Sequence, residues 1–319
     1  MASFRFNAAI ALGLLAAATP LRAGEVAITF DDLPVFGRFR SIESATALTD
    51  TLVAGIRRHR WPAIGFVNEI QLDTADRPRR IALLERWLQA GLDLGNHSYS
   101  HRSLTNTPVG DYIADVARGE TVTKALLLAH GRTMRWFRYP YLETGPTIAV
   151  RHTLDAWLAA HGYRVAPVTL ENSDWQFADV YDDAQRRGDQ QEARRIRAAY
   201  ISFTARVVPW YHKAAIGLTG RDPPLVFLLH ASQLNADSID ALAAILRKER
   251  LRPVSLDRAM ADPAYALPDT YVGPDGEEWL ERWSESLHKT LPWASMPMVP
   301  AAIVSADARL DAPAPAGAR

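Results

Sequence analysis

The chain has 319 residues, 48% of them hydrophobic, and its 36 Lys+Arg balance 36 Asp+Glu for a formal net charge of +0. That balance argues against a binder of nucleic-acid backbones, which needs a basic excess, while the apolar content suffices for a sizeable core. There is no cysteine, so disulfide frameworks and thiolate metal sites are excluded, and any metal must rest on His, Asp or Glu.

At the N-terminus, Arg5 precedes an apolar stretch over 8–18 and then Thr19-Pro20-Leu21-Arg22-Ala23. This is the order of a secretory signal peptide. We expect residues 1–23 to be such a signal, cleaved after Ala23, and the protein to be exported, periplasmic or secreted. The apolar run is short for a bilayer, so no stable membrane span is expected after cleavage.

The rest alternates short apolar runs with helical patterns, the signature of a parallel α/β architecture. Strands are expected at 26–30, 63–67, 92–95, 134–138, 163–170, 225–229 and, weakly, 252–256. Helices are expected at 41–59, 79–90, 109–129, 147–160 and 237–248. Residues 179–215 are charged and helical, one long helix or a helical pair inserted before the sixth strand. We divide the chain into the signal, a catalytic domain over 24–262, an aromatic extension over 263–297 packed on it, and a disordered Ala/Pro-rich tail over 298–319. Trp279 and Trp283 lie at helical spacing in the extension, for packing or for stacking on sugar.

The unusual polar residues sit at strand ends. The first strand runs into Asp31-Asp32. Asn96-His97-Ser98-Tyr99-Ser100-His101 follows the third, Arg138-Tyr139-Pro140-Tyr141 ends the fourth, Asn172-Ser173-Asp174-Trp175 follows the fifth, and His230 ends the sixth. In parallel α/β barrels the C-terminal strand ends carry the site. Adjacent residues of a strand point to opposite sides, so one carboxylate of the Asp pair can face a metal and the other a water. On a helical turn, the spacing of His97 and His101 puts both imidazoles on one side. Two His and one carboxylate leave an open metal position. Ser98 stands where the zinc-protease helix motif needs Glu, so the base must come from elsewhere. Arg138 is placed to hold Asp31 ionised, and the Tyr141 amide to stabilise an oxyanion. His230 suits a general acid, Asp174 a partner for His230 or Arg138, and Trp175 a pocket wall.

These stretches, in this order, resemble the motifs of the polysaccharide deacetylase family with the NodB homology domain (carbohydrate esterase family 4), over roughly residues 25–262. Thr29-Phe30-Asp31-Asp32, His97-Ser98-x-x-His101, Arg138-x-Pro140-Tyr141, Asp174-Trp175 and Leu228-Leu229-His230 match its five motifs in turn. The resemblance implies a distorted (β/α)7 barrel and a divalent metal, usually zinc, with Co2+ or Ni2+ as alternatives, held by Asp32, His97 and His101. It implies Asp31 as the base that deprotonates the attacking water, His230 as the acid, and Asp174 and Arg138 as the groups that tune them. The substrate class it implies is a glycan carrying N-acetyl or O-acetyl groups, and we expect removal of N-acetyl groups. An O-acetyl esterase, a small-molecule amidohydrolase and a glycan-binding protein on the same fold are the alternatives. Leu33 departs from the family's Gly, and its side chain is expected to reshape one rim of the site.

Overall fold

The computed structural model of the chain describes residues 23–37 and 41–311. The expected signal peptide therefore lies outside the described residues, Ala23 apart. The sheet has seven parallel strands: β1 (Gly24–Leu33), β2 (Ile64–Val67), β3 (Asp93–Asn96), β4 (Trp136–Phe137), β5 (Arg164–Val165), β6 (Leu225–His230) and β7 (Leu251–Val254). Their order is β5-β4-β3-β2-β1-β6, and β7 also pairs with β1. β1 carries the centre because three strands use it. β6 takes one edge from Val26 to Asp31, while β7 pairs from Gly24 to Ala27 and β2 from Thr29 to Leu33.

The expected fifth strand is split. Arg164 and Val165 pair with β4. Pro167 has no N–H to continue a ladder, and the chain then crosses to β6, where Thr169 and Leu170 both donate to the Val226 carbonyl, at 3.0 and 3.1 Å. One segment thus touches both ends of the sheet and curls it into the distorted (β/α) barrel that the motif resemblance implies. The fourth strand is likewise shorter than expected.

The helices are α1 (Ile42–Arg58), α2 (Arg77–Gln89), α3 (Val109–Arg118), α4 (Thr121–Ala129), α5 (Ile148–Ala160), α6 (Asp174–Arg186), α7 (Gln190–Thr219), α8 (Gln233–Lys248), α9 (Leu256–Ala259), α10 (Trp279–Ser286) and α11 (Ala301–Asp311). Ser41, Ser232 and Ser255 each cap a helix by accepting a backbone N–H three residues on, which fixes those starts. The single helix expected over 109–129 is two helices that break at Gly119. The insertion before β6 is a helical pair, and it begins at Asp174, earlier than its charge pattern suggested.

The tail needs correction. Residues 301–311, expected to be disordered, form α11, which packs on α6 with Ile303 buried. Its Ala-rich run has high helix propensity, and the Pro300 carbonyl accepts from Ile303 and Val304 at its start. Residues 312–319 lie outside the described residues. In the extension, Leu280 and Trp283 are buried in the main core, and the Trp279 amide donates to the Val168 carbonyl at 2.7 Å. Among the described residues, no helix is long and apolar enough to cross a membrane.

Candidate active site

Along β1, Thr29 and Asp31 share a face by strand alternation, and both meet the guanidinium of Arg138. Its Nη2 donates to Thr29 Oγ1 at 3.0 Å, and its Nη1 pairs with Asp31 Oδ2 at 3.4 Å. Arg138 is fully buried, 0% exposed, under the Phe66 ring. Burial pushes the Asp31 carboxyl up to about 6 even though Arg138 pulls the other way. Asp32 leaves the strand alternation with φ of 62°, and the chain turns there. Leu33, by contrast, is a core residue. Its methyls fill the space over Gly65, where a Cβ would lie 2.3 Å from Leu33 Cδ2, so it does not shape the rim. Phe36 does, its ring centroid 4.8 Å from that of His230.

His97 and His101 meet in a loop rather than on a helical turn. Ser98 and His101 have φ of 62° and 54°. The loop is held from several sides. Asn96 Oδ1 accepts from Ser98 N at 2.7 Å, Asp115 accepts from both Ser100 N and Ser100 Oγ, and Ser98 Oγ accepts from His101 N at 3.0 Å. Gly119, after α3, lets the loop come close, since a Cβ there would sit 2.5 Å from the Ser98 carbonyl carbon. The Arg138 carbonyl lies 2.8 Å from His97 Nδ1. A carbonyl only accepts, so Nδ1 carries the proton and Nε2 presents a lone pair to the cavity. Burial, then the His101 charge, holds His97 well below its ordinary value and hence neutral.

One Asp32 oxygen, Oδ1, lies 3.7 Å from His97 Nε2 and 3.6 Å from His101 Nε2. These are too long for hydrogen bonds and close to the ~3.4 Å that bonds of about 2.1 Å at a tetrahedral angle put between neighbouring ligand atoms. The three side chains offer ligand atoms within 4.8 Å of one another. Asp32 Oδ1, the oxygen shared between the two imidazoles, is buried without a hydrogen-bond partner, an arrangement that a divalent cation would satisfy. Two imidazoles and a carboxylate suit zinc and its neighbours in the first transition row. The residues therefore fit the group.

Asp31 and His230 are register partners on β1 and β6. His230 is clamped by Asp174, which is in the first turn of α6 and 2% exposed. Burial alone would lower His230, but the Asp174 charge and hydrogen bond outweigh it and push the imidazole up to about 9. Asp174 turns to His230 and not to Arg138, and Asn235 Nδ2 donates to Asp174 Oδ2.

Asp31, Asp32, His97, His101 and His230 line one cavity of about 450 Å3, within the usual range for a ligand site, with Arg138 and Asp174 buried behind them. Tyr141 and Trp175 stand at its mouth, 58% and 38% exposed. Tyr141 packs edge-on against His101, centroids 4.5 Å apart, and its φ is 56°. The structure thus gathers Asp31, Asp32, His97, His101, Tyr141, Trp175 and His230 around one space, with Arg138 held to Asp31 and Asp174 to His230 behind it. Five lining residues lie outside the motif stretches: Phe36, Leu142, Glu171, Gly276 and Glu278. The last two belong to the extension, and no local pattern connects them to the strand ends. Buried Arg282 ties the extension to the Tyr141 loop, donating to Leu142 O at 3.1 Å, Thr144 Oγ1 at 2.9 Å and Asp269 Oδ2 at 3.1 Å.

The family model described as polysaccharide deacetylase matches residues 18–166. The fold is similar to that of the chitin deacetylase from the fungal pathogen Colletotrichum lindemuthianum, with a TM-score of 0.54 and 18% identity over 81% of this chain and 94% of that one. It is also similar to the polysaccharide deacetylase Bc1974 from Bacillus cereus, with a TM-score of 0.51 and 17% identity over 73% of this chain and 91% of that one. No curated protein sequence matches the chain.

Proposed function

We propose that the chain belongs to the polysaccharide deacetylase family, whose model matches residues 18–166, and that it is a metal-dependent hydrolase removing N-acetyl groups from a chitin-, peptidoglycan- or exopolysaccharide-type glycan. The observation that carries this is the facing of two constellations across one cavity. The Asp32, His97 and His101 ligand atoms lie within 4.8 Å of one another, and the register pair Asp31 and His230 stands beside them.

Held by Asp32, His97 and His101, a divalent ion such as zinc would lower the pKa of water and polarise the acetyl carbonyl. The remaining roles belong to the chain. Asp31, oriented by Arg138, takes the proton of the attacking water. The backbone amide of Tyr141 donates to the developing oxyanion. His230 gives its Nε2 proton to the leaving nitrogen, because Asp174 occupies Nδ1 and sets the tautomer. The aromatic rings of Tyr141 and Trp175 offer faces on which sugar rings stack.

Acetate release tests this directly, with chitooligosaccharides, peptidoglycan fragments and acetylated xylan as substrates. Each is assayed as purified, after chelation and after zinc is returned. We expect chelator-sensitive, zinc-restored release from an N-acetylated glycan. Release from the xylan ester alone would move the activity to an O-acetyl esterase, and release from none would remove the glycan deacetylase reading. For the compartment we propose export, from the order of Arg5, the apolar run over 8–18 and Ala23. N-terminal sequencing of the native protein checks it, and a retained Met1 on cytoplasmic protein would contradict it.

A further inference from the structure

A second pair of carboxyl groups opens on the same cavity. Glu171, between β5 and α6, and Glu278, at the start of α10, both line it and hydrogen-bond each other. Glu278 is also held from the inserted helix pair, where Tyr211 Oη of α7 donates to Glu278 Oε1 at 2.7 Å. The backbone of Gly276 presses on the Tyr141 carbonyl so closely that a Cβ there would lie 1.7 Å from it, which seats this part of the extension on the rim. Burial raises both carboxyls, with Asp174 adding to the rise of Glu171 and Glu171 to that of Glu278. Each carboxyl thus disfavours ionisation of the other, and a cation placed between them would relieve that. Glu171 also feels His230, which lines the same cavity. The pair does not stand alone, because the same cavity holds the partnerless, buried carboxylate oxygen of Asp31, a residue 3% exposed.

We propose that Glu171 and Glu278 bind the nitrogen of the departing amine and thereby make the cleft selective for N-acetyl over O-acetyl groups. This rests on the deacetylase reading above. In that reaction the water oxygen bonds to the acetyl carbon and the C–N bond breaks. The nitrogen takes the His230 proton, and His230 regains one from Asp31, which took it from the water. The acetic acid formed loses its proton at neutral pH, and the amine gains one. An amide therefore leaves an ammonium ion and acetate, with water as the single co-reactant. An ester leaves a neutral alcohol, whose single O–H can donate to a carboxylate but which brings no positive charge to meet it. Two elements that lie outside the motif stretches, α7 and the aromatic extension, thus meet at Glu278.

Glu278→Gln and Glu171→Gln keep the shape and remove the charge, and each is studied in the full zinc-loaded chain. Binding of tetraglucosamine, an amine without acetyl groups, is followed by calorimetry. Acetate release is compared for an N-acetylated chitooligosaccharide and for acetylated xylan. Losing a charge-assisted hydrogen bond should weaken amine binding about tenfold and lower the amide-to-ester ratio of kcat/KM by a similar factor. Should one variant fail to fold, the other carries the comparison. Unchanged tetraglucosamine affinity in the folded variants overturns the inference, whatever acetate release does. Affinity lost in a chain that releases no acetate from any substrate supports the amine site and removes the deacetylase reading instead.

Discussion

Asp174 grips His230 with both carboxylate oxygens: Oδ1 lies 2.7 Å from the imidazole Nδ1 and Oδ2 accepts the His230 backbone N–H at 2.7 Å. The clamp fixes the ring and its charge together. An imidazole held up to about 9 is protonated at neutral pH and is lost as an acid as pH rises through that value.

Asp174→Asn should therefore act on the alkaline side. Removing the carboxylate removes the force that raises His230, so its pKa falls and the alkaline limb of kcat/KM moves to lower pH. We expect a shift of at least about one pH unit, the size of effect that one close opposite charge has on a pKa, measured as acetate release against pH. An unshifted limb would mean that His230 is not the acid.

Asp31→Asn separates base from ligand. Asp31 is not one of the three groups that offer ligand atoms to a common ion, so zinc binding by calorimetry should survive. Turnover should fall by about 100-fold or more, the usual contribution of a positioned base. Near-normal acetate release would contradict the assignment.

His101→Ala removes a ligand from a partly exposed position, its side chain 26% exposed. Zinc affinity should fall by more than the roughly 100-fold that even outer-shell changes can cause, while the melting temperature of the metal-free protein barely moves. Unchanged affinity would show that the ion sits elsewhere.

Arg282→Met probes the brace between the extension and the Tyr141 loop. Arg282 is 1% exposed, and its removal leaves Asp269, Thr144 and the Leu142 carbonyl each without a partner they now have. Breaking a buried pair this way costs about 3 kcal/mol, read by urea unfolding. A loss below about 1 kcal/mol, the range of an exposed pair, would show that the brace is dispensable.

What could be read from the sequence follows physical locality. The strands and their loaded ends were legible because an apolar run broken by Asp31-Asp32 or His230 is a contiguous signal. The partners of Asp31 were legible too, because each lies at a strand end of its own. The path between His97 and His101 was not. Two left-handed residues and the Asp115 contacts make it a loop, and these depend on α3 packing beside it. The fifth strand reads as whole because Tyr163 to Leu170 is mostly apolar, but Pro167 and the crossing to β6 divide it. The tail looked disordered from its Ala and Pro content, yet Ala also favours helix once α6 offers a surface. Leu33 seemed to be a rim residue until Gly65 showed where its methyls go. Glu171 and Glu278 come from distant parts of the chain and meet only in three dimensions.

The most direct measurement of the metal centre is a zinc titration of the chelated protein with acetate release followed at each step, on an N-acetylated chitooligosaccharide. We expect activity to rise with added zinc and to saturate at equimolar metal, and the His101→Ala variant to stay inactive across the same range. Acetate release that is full before zinc is added, or a protein that binds no zinc at all, would contradict a hydrolytic centre at Asp32, His97 and His101.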